Sequence, residues 1–318
     1  MAEKSQTPIA DDIIRIKLDS LIKLNQQANQ LPLKSRSIYS QLNGNYTSAF
    51  KGRGMEFDEA RPYQPGDDIR SIDWRVTART GKAHTKLYRE ERERPVLIWL
   101  DLRKPMFFAS QGMFKSVLAA KAAALLAWSS SQHSDRIGGL VFSEQQHTEL
   151  RPQRGKAATL HLLKRISEHS AWQTNNTNKK IIESQSANQA LNRLRRVSKP
   201  GSLIFLISDF RNIDDSTESI LAKMAKHNDI VMIFISDPLE QQLPPAGYYK
   251  LTDGVQELTI NTAQKNSREK YQQRFTDHQE YLKACCKKYG IFFISISTHQ
   301  PLLESLQYSL NLRNKHSR

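Results

Sequence analysis

Cysteine is almost missing from this chain of 318 residues: there are two, Cys285 and Cys286, side by side. Neighbouring residues on a helix point apart, which argues against a structural disulfide between them. So few thiols suit a reducing compartment, and the cytoplasm is the expected location. Long apolar runs are missing too. The most apolar stretch, 117–128, is interrupted by Lys121 and falls far short of the ~20 residues that cross a bilayer, so no membrane span is expected. The start, MAEKSQTPIADD, holds no apolar core of a secretory signal. Standard catalytic frames are absent as well. No G-x-x-x-x-G-K-[ST] occurs, and Gly81-Lys82-Ala83 and Gly155-Lys156-Ala157 lack both the hydroxyl and the upstream glycine, so ATP hydrolysis by this chain is not expected. The nine histidines form no H-E-x-x-H and no close pair, which argues against zinc. Ser208-Asp209 lacks the glycine frame of a nucleophile elbow, and Cys285 and Cys286 read as packing thiols.

What the chain has is positive charge, a formal net +15. Residues 151–200 hold eleven Lys/Arg against two acids, Glu168 and Glu183, a local excess of nine. Such a region attracts nucleic acid, an anionic membrane face or an acidic partner, or is simply a solvated helical face. Aromatics for base stacking are scarce there, Trp172 being the only one. At 38% hydrophobic and 25% charged residues the composition is globular. The length fits an α/β domain of ~200 residues with a smaller N-terminal module.

Residues 11–30 read as an amphipathic helix, with Ile14, Leu18, Leu21 and Leu24 at helical spacing and Asp11 or Asp12 to cap it. It either packs on the main body or serves as a docking arm. Asn43-Gly44-Asn45 marks a turn, and Gly52 and Gly54 flank Arg53 in a backbone bend. Pro65-Gly66 is a turn with Gly66 free to take positive φ. Asp67 is placed to cap a short helix that sets Ile69, Ile72 and Val76 on one face and ends at Gly81. Residues 84–91 alternate like a strand. The run 95–101 is continuously apolar from Val96 to Leu100, the look of a parallel strand covered on both faces. Further strands are expected at 137–142, 202–208, 229–236 and 291–297, with helices at 113–132, 156–169, 187–197, 217–227 and 268–290 between them. Strands alternating with helices predict an α/β fold with a doubly wound, mostly parallel sheet. Residues 146–151 suit an antiparallel edge strand. The stretch 172–184, with Asn175-Asn176 and Lys179-Lys180, reads as a loop. Residues 243–260, with Pro244-Pro245 and Asp253-Gly254, read as a hairpin excursion. The expected layout is an N-terminal helix and linker (1–43), an Arg/Asp-rich module (44–94), the α/β domain (95–300) and a C-terminal tail (301–318).

The stretch 52–101 organises the chain. Within 61–79 it carries Arg61, Arg70, Arg75 and Arg79 with Asp67, Asp68 and Asp73, and Tyr63, Ile69, Ile72, Trp74 and Val76 among them. Charges mixed this closely with bulky apolar residues are expected to fold into paired, partly buried contacts, because a lone buried charge is costly. Arg61, Tyr63, Gly66, Asp67, Arg70, Asp73, Trp74 and Arg79 are its candidate interaction residues. The array either locks the module in place or forms a recognition surface, since fixed arginines clamp a partner's carboxylates.

GRGMEFDEARPYQPGDDIRSIDWRVTAR followed by a strand ending in Asp resembles the domain-of-unknown-function family fifty-eight, over about 44–258. That family resembles von Willebrand factor A domains, and its genes commonly sit beside those of MoxR-type AAA+ ATPases. The resemblance implies a von Willebrand A-like domain, and a MoxR-type ATPase and a protein client as partners.

Three carboxylates, Asp101, Asp209 and Asp237, fall at the carboxyl ends of expected strands, where open α/β sheets bind ligands. The resemblance implies that the Asp101 and Asp209 strands are neighbours, and two carboxylates that close need a cation between them. Von Willebrand A domains supply Mg²⁺ there through Asp-x-Ser-x-Ser, a Thr and a distant Asp. Here Arg103 and Pro105 stand at the two serine positions, and neither offers the hard oxygen that Mg²⁺ requires. Ser184 or Ser186 is the nearest substitute for the threonine. The expectation is a degenerate site without a cofactor, in which Arg103 or Lys104 replaces the metal and neutralises Asp101 and Asp209. The leading functional reading is a non-enzymatic adaptor. A metal-dependent phosphate-ester hydrolase using Asp101, Asp209 and Asp237, and a nucleic-acid binder using 151–200, are the alternatives.

Overall fold

A computed structural model describes residues 12–33, 55–90, 94–173, 183–211, 213–252 and 257–316. The turn expected at Asn43–Asn45, the bend at Gly52–Gly54, positions 174–182 of the expected 172–184 loop and the Asp253-Gly254 turn lie outside them. The chain forms two units, Lys34–Glu93, and Met1–Leu33 together with Arg94–Arg318. In chain order the elements begin with α1 (Leu18–Lys23), α2 (Asn25–Ala28), β1 (Met55–Pro62), α3 (Trp74–Thr80), β2 (His84–Glu90), β3 (Pro95–Asp101), α4 (Lys115–Gln132), β4 (Arg136–Phe142), β5 (His147–Arg154) and α5 (Lys156–Ser167). They continue with α6 (Glu183–Val197), β6 (Leu203–Ser208), α7 (Asp215–Ala225), β7 (Asp229–Ser236), α8 (Pro238–Gln241), β8 (Tyr248–Thr252), β9 (Glu257–Asn261), α9 (Lys265–Tyr289), β10 (Phe292–Ser297) and α10 (Leu302–His316).

The larger unit is built on a six-stranded sheet of order β10-β7-β6-β3-β4-β5, parallel except for the antiparallel edge strand β5. Its central strands are buried on both faces, which is why they read as unbroken apolar runs. The pleat sorts their side chains alternately. Val96, Ile98 and Leu100 of β3, with Phe205 of β6 and Ile233 of β7, join the core under α4, α5 and α10. Leu97 and Trp99, with Leu206 and Met232, join the opposite core, which α6, α7 and α9 complete. The sheet is therefore doubly wound. Its strand order reverses between β3 and β6.

Helix α4 lacks a polar face: from Lys115 to Ser130 every residue but Lys121 is buried. A helix apolar all round must be covered all round, and the N-terminal segment supplies part of that cover. Trp128 Nε1 donates to Leu21 O (3.1 Å), Gln132 Nε2 to Asn25 Oδ1 (2.9 Å), and Phe114 N to Ile13 O (2.9 Å). Residues 12–30 of the expected helix thus pack on the body, as two short helices and not as one long one. The expected cap is a further difference: Asp12 accepts from Ser20 Oγ (3.0 Å) and caps nothing, while α1 starts after Lys17. The C-terminal stretch expected as a tail is also helical, as α10 buries Leu306 and Leu310 in the core under the sheet.

Gly138 and Gly139 of β4 mark close backbone approaches within the sheet. A Cβ on Gly139 would lie 2.3 Å from Ile98 O, and one on Gly138 would lie 2.6 Å from Leu150 O. Both obstacles are main chain in paired strands and cannot swing aside. Gly139→Ala is therefore expected to lower unfolding stability by about 1–3 kcal/mol, the usual cost of overpacking. Urea unfolding checks this, and an unchanged midpoint would show that the sheet yields at β3.

Candidate functional site

The reversal between β3 and β6 sets two acids side by side. Asp101 is the last residue of β3, Asp209 follows Ser208 at the end of β6, and the strands pair through Leu100 and Ile207. Both carboxylates are buried, as are Arg103 and Lys115. Arg103, two residues past Asp101, folds back on it. Its Nε lies 3.0 Å from each carboxylate oxygen, its Nη2 lies 2.6 Å from Oδ2, and its backbone N donates to Oδ1 (2.9 Å). Ser208 Oγ donates to Asp101 Oδ2 at 2.6 Å. Asp209 is held by another cation: Lys115 Nζ sits 2.9 Å from its Oδ2 and 2.6 Å from Glu240 Oε1. Arg211 closes the group from the solvent side, with Nε 3.2 Å from Asp209 Oδ2 and Nη2 on Glu240.

Lys115 opens α4, and a cation at a helix N-terminus opposes the macrodipole. Two acids there reverse the local sign and make its burial tolerable. Phe210 enables the geometry by taking a left-handed conformation, φ +50°. Its ring stacks on Trp99 (6.3 Å between centroids), and Trp99 packs against Phe142 (4.4 Å), giving the acids an aromatic floor. Burial works to raise the pKa of Asp209, but the adjacent Lys115, with Arg211 and Arg103, outweighs it and holds the carboxyl below its ordinary value. Burial likewise disfavours the charge on Arg103, yet the Asp101 carboxylate raises its pKa above the usual guanidinium value.

Asp237, at the end of β7, is a cap. It accepts from Leu239 N (2.9 Å), Ser110 N (2.8 Å), Ser110 Oγ (2.6 Å) and Thr298 Oγ1 (2.6 Å). Burial pushes its pKa up, and the Ser110 and Thr298 hydrogen bonds bring the net value below that of a free carboxylate. Glu240 completes the capping box by accepting from Asp237 N (3.0 Å), which joins this cap to Lys115.

The sequence-predicted cation is half of the answer. Arg103 neutralises Asp101, and it reaches Asp209 only through its field. The close partner of Asp209 is Lys115, to which the sequence analysis gave no role. Lys104 is exposed, and its backbone N donates to Glu144 Oε1 (2.6 Å). The hydroxyl on Asp101 comes from Ser208 of the neighbouring strand. This donor set does not fit Mg²⁺: the oxygens of Asp101 already accept from a guanidinium and a serine, and hard oxygen ligands are too few. Among the described residues no group of three or more His, Cys, Asp or Glu is placed to hold a metal ion.

In the unit Lys34–Glu93 the motif residues fall on and between β1 and β2, which pair antiparallel. Gly66 takes φ +104°, as its turn requires. Tyr63 N donates to Ala83 O (2.8 Å). Asp67 accepts from Arg61 Nη2 (2.8 Å), Gln64 N (2.9 Å) and Thr85 Oγ1 (3.3 Å). The short 3-10 turn Ile69–Ser71 is capped by Asp68 through Arg70 N (3.0 Å), and not by Asp67. Asp73 caps α3 through Arg75 N (3.0 Å) and Val76 N (3.2 Å), and Gly81 ends it at φ +71°. The expected charge pairing holds for Arg61 and Asp67. Arg70, Arg75 and Arg79 are exposed and have no acidic partner among the described residues, and Ile69 and Trp74 face solvent. The acids are taken up by backbone N–H groups, which local turns supply more cheaply than a distant arginine does.

Lys115→Met leaves Asp209 short of its nearest cation, and Asp209→Asn leaves Lys115 with Glu240 alone. Each is expected to cost about 3–5 kcal/mol. The double variant should cost less than the sum by about 1–3 kcal/mol, as coupled neighbours do. The pH dependence has a definite sign. A carboxyl whose folded pKa lies below its ordinary 3.8 stabilises the fold above that pH and loses this contribution as pH falls. The stability gap between wild type and Asp209→Asn should therefore narrow below about pH 4. Urea midpoints at neutral and acid pH test both statements, and strict additivity would refute the network.

A family model described as "Protein of unknown function DUF58" matches residues 59–281. The chain is 28% identical over 226 residues to the "Uncharacterized protein Rv1480" of Mycobacterium tuberculosis and to the "Uncharacterized protein Mb1516" of Mycobacterium bovis, a match covering 70% of this chain and 69% of each relative. Among solved structures it is similar to the "conserved hypothetical protein BatB" of Bacteroides thetaiotaomicron (14% identity, 70% of this chain and 99% of that one, TM-score 0.43). It is also similar to an "aerotolerance-related membrane protein" of Bacteroides fragilis (13% identity, 69% and 99%, TM-score 0.44). With the family match spanning well over half of its length, from within β1 to within α9, the chain belongs to the DUF58 family.

Proposed function

We propose that this chain is a non-catalytic, von Willebrand A-like protein-interaction module that works with a MoxR-type AAA+ ATPase and a protein client, and that its metal-ion-dependent adhesion site is degenerate. The observation that supports this reading is the closed charge network at the β3/β6 end. Asp101 is engaged by Arg103, Asp209 by Lys115, and Asp237 by Ser110, Thr298 and a backbone N–H. A general base or a metal ligand needs a free lone pair in reach of a substrate, and these carboxylates spend theirs on the chain itself. The hydrolase alternative needs the same three acids and is disfavoured for that reason. The nucleic-acid alternative is weakened by Trp172, the one aromatic of 151–200, which is buried against Phe107 (5.3 Å between centroids) and offers no base a stacking face.

Two measurements test the proposal. Tagged full-length protein, mixed with a MoxR-type ATPase from the same cells and held with a non-hydrolysable ATP analogue, should retain the ATPase and raise its turnover severalfold. Failure of both retention and stimulation would end the adaptor reading. In calorimetry, Mg²⁺ should show no micromolar binding; a micromolar site abolished by Asp101→Ala would restore the metal-dependent alternative.

A further inference from the structure

In Lys34–Glu93 the arginines described as exposed lie on α3 or just ahead of it. Positions 74, 75, 78 and 79 share a helical face, which therefore presents Trp74, Arg75, Ala78 and Arg79, with Ile69 and Arg70 just ahead of it. Trp74 is 68% exposed and Ile69 is 66% exposed, whereas the other three tryptophans, Trp99, Trp128 and Trp172, are buried. A lone exposed apolar residue is ordinary. A tryptophan set among three arginines with no acidic partner among the described residues has the composition of a binding hot spot. The platform is also rigid, since Asp73 caps the helix at one end and Gly81 closes it at the other.

We propose that this face docks an acidic protein segment, a run of Asp and Glu interrupted by an apolar residue. The carboxylates would lie on the guanidinium forks of Arg70, Arg75 and Arg79, and the apolar residue against Trp74 and Ile69. The proposal deepens the adaptor reading and rests on it only in taking the partner to be a protein. Two features favour protein over nucleic acid or a lipid surface. A single tryptophan beside an aliphatic isoleucine gives successive bases nothing to stack on. All three cations are arginine, whose planar fork pairs carboxylates two-pronged, whereas a lipid surface attracts lysine equally well.

Trp74 is its own reporter, because among four tryptophans it alone is open to a quencher. Full-length protein is titrated with a short synthetic peptide of Glu-Asp pairs separated by leucine. Anisotropy of the labelled peptide should rise, and the unlabelled peptide should shield Trp74 from acrylamide. The triple change Arg70→Glu, Arg75→Glu, Arg79→Glu should weaken binding about tenfold or more, as loss of hot-spot residues does. The same charge reversal at the exposed Arg193, Arg195 and Arg196 of α6 should leave affinity within about twofold, because cations that make no direct contact with the segment add only a screened field. Should the charge-reversed α3 variant unfold, its glutamine counterpart (Arg70→Gln, Arg75→Gln, Arg79→Gln) serves with the same expected direction. Equal weakening by the α6 control, binding without shielding of Trp74, or shielding by anionic vesicles or oligothymidylate in place of the peptide would each overturn the proposal. Peptide binding alongside failure of the ATPase to associate would sink the adaptor reading alone.

Discussion

Two like charges at the ends of neighbouring strands, out of reach of water, cannot stand without compensation. That constraint at Asp101 and Asp209 shapes the carboxyl edge of the sheet. Arg103 must turn back on the strand it has just left, which sends the chain into a tight 3-10 turn at Lys104–Met106. The connection from β3 must then deliver a second cation to the start of α4, so Lys115 sits where a helix would ordinarily prefer an acid. Phe210 accepts a left-handed backbone, and Glu240 serves both Lys115 and the Asp237 cap. These departures from ordinary local preference lie within one group, the pattern expected where a fold gives up local comfort to satisfy a distant partner.

The sheet was legible in the sequence because burial on both faces leaves a signature in every residue of a strand. The runs at Val96–Leu100 and Ile230–Ile235 have no polar interruption, and the helices between them forced a parallel order. Where a residue's role depends on one remote neighbour, the signature disappears. Lys115 and Asp209 are 94 positions apart, and nothing local to either announces the other. Arg103 was visible because its partner lies two residues away and because it replaces an expected ligand. Strand β1 was missed for a similar reason: MEFDEARP is half charged, and only its pairing with β2 makes it a strand. Helix α10 was missed although Leu302, Leu303, Leu306 and Leu310 recur at helical spacing and meet the core, because the stretch around them is largely polar.

The charged motif of Lys34–Glu93 shows how composition misleads when it is read as pair counting. Three acids among four arginines suggested mutual neutralisation. A carboxylate beside a turn, however, finds backbone N–H donors within two or three residues and at little entropic cost, whereas an arginine must be immobilised to reach it. Asp68 and Asp73 take the near donors, and Arg70, Arg75 and Arg79 are left to solvent. The same residue types that close the β3/β6 edge on itself therefore leave the small unit open and positively charged. The deciding variable is burial, not sequence proximity. Asp101 and Asp209 have no water to fall back on, and the motif acids do.

Energetics sets how such a buried network behaves under substitution. Coulomb attraction inside a protein barely repays the desolvation of each ion, so replacing the whole group by apolar side chains of like volume would cost little. Removing one member strands its partner and costs several times more. The network is therefore close to all-or-none, because each ion is tolerable only while the others remain. It adds little net stability. What it supplies is registration: Arg103, Ser208 and Lys115 satisfy Asp101 and Asp209 in one arrangement of β3, β6 and α4, and a slip of any of these elements by one residue would bury an unpaired charge.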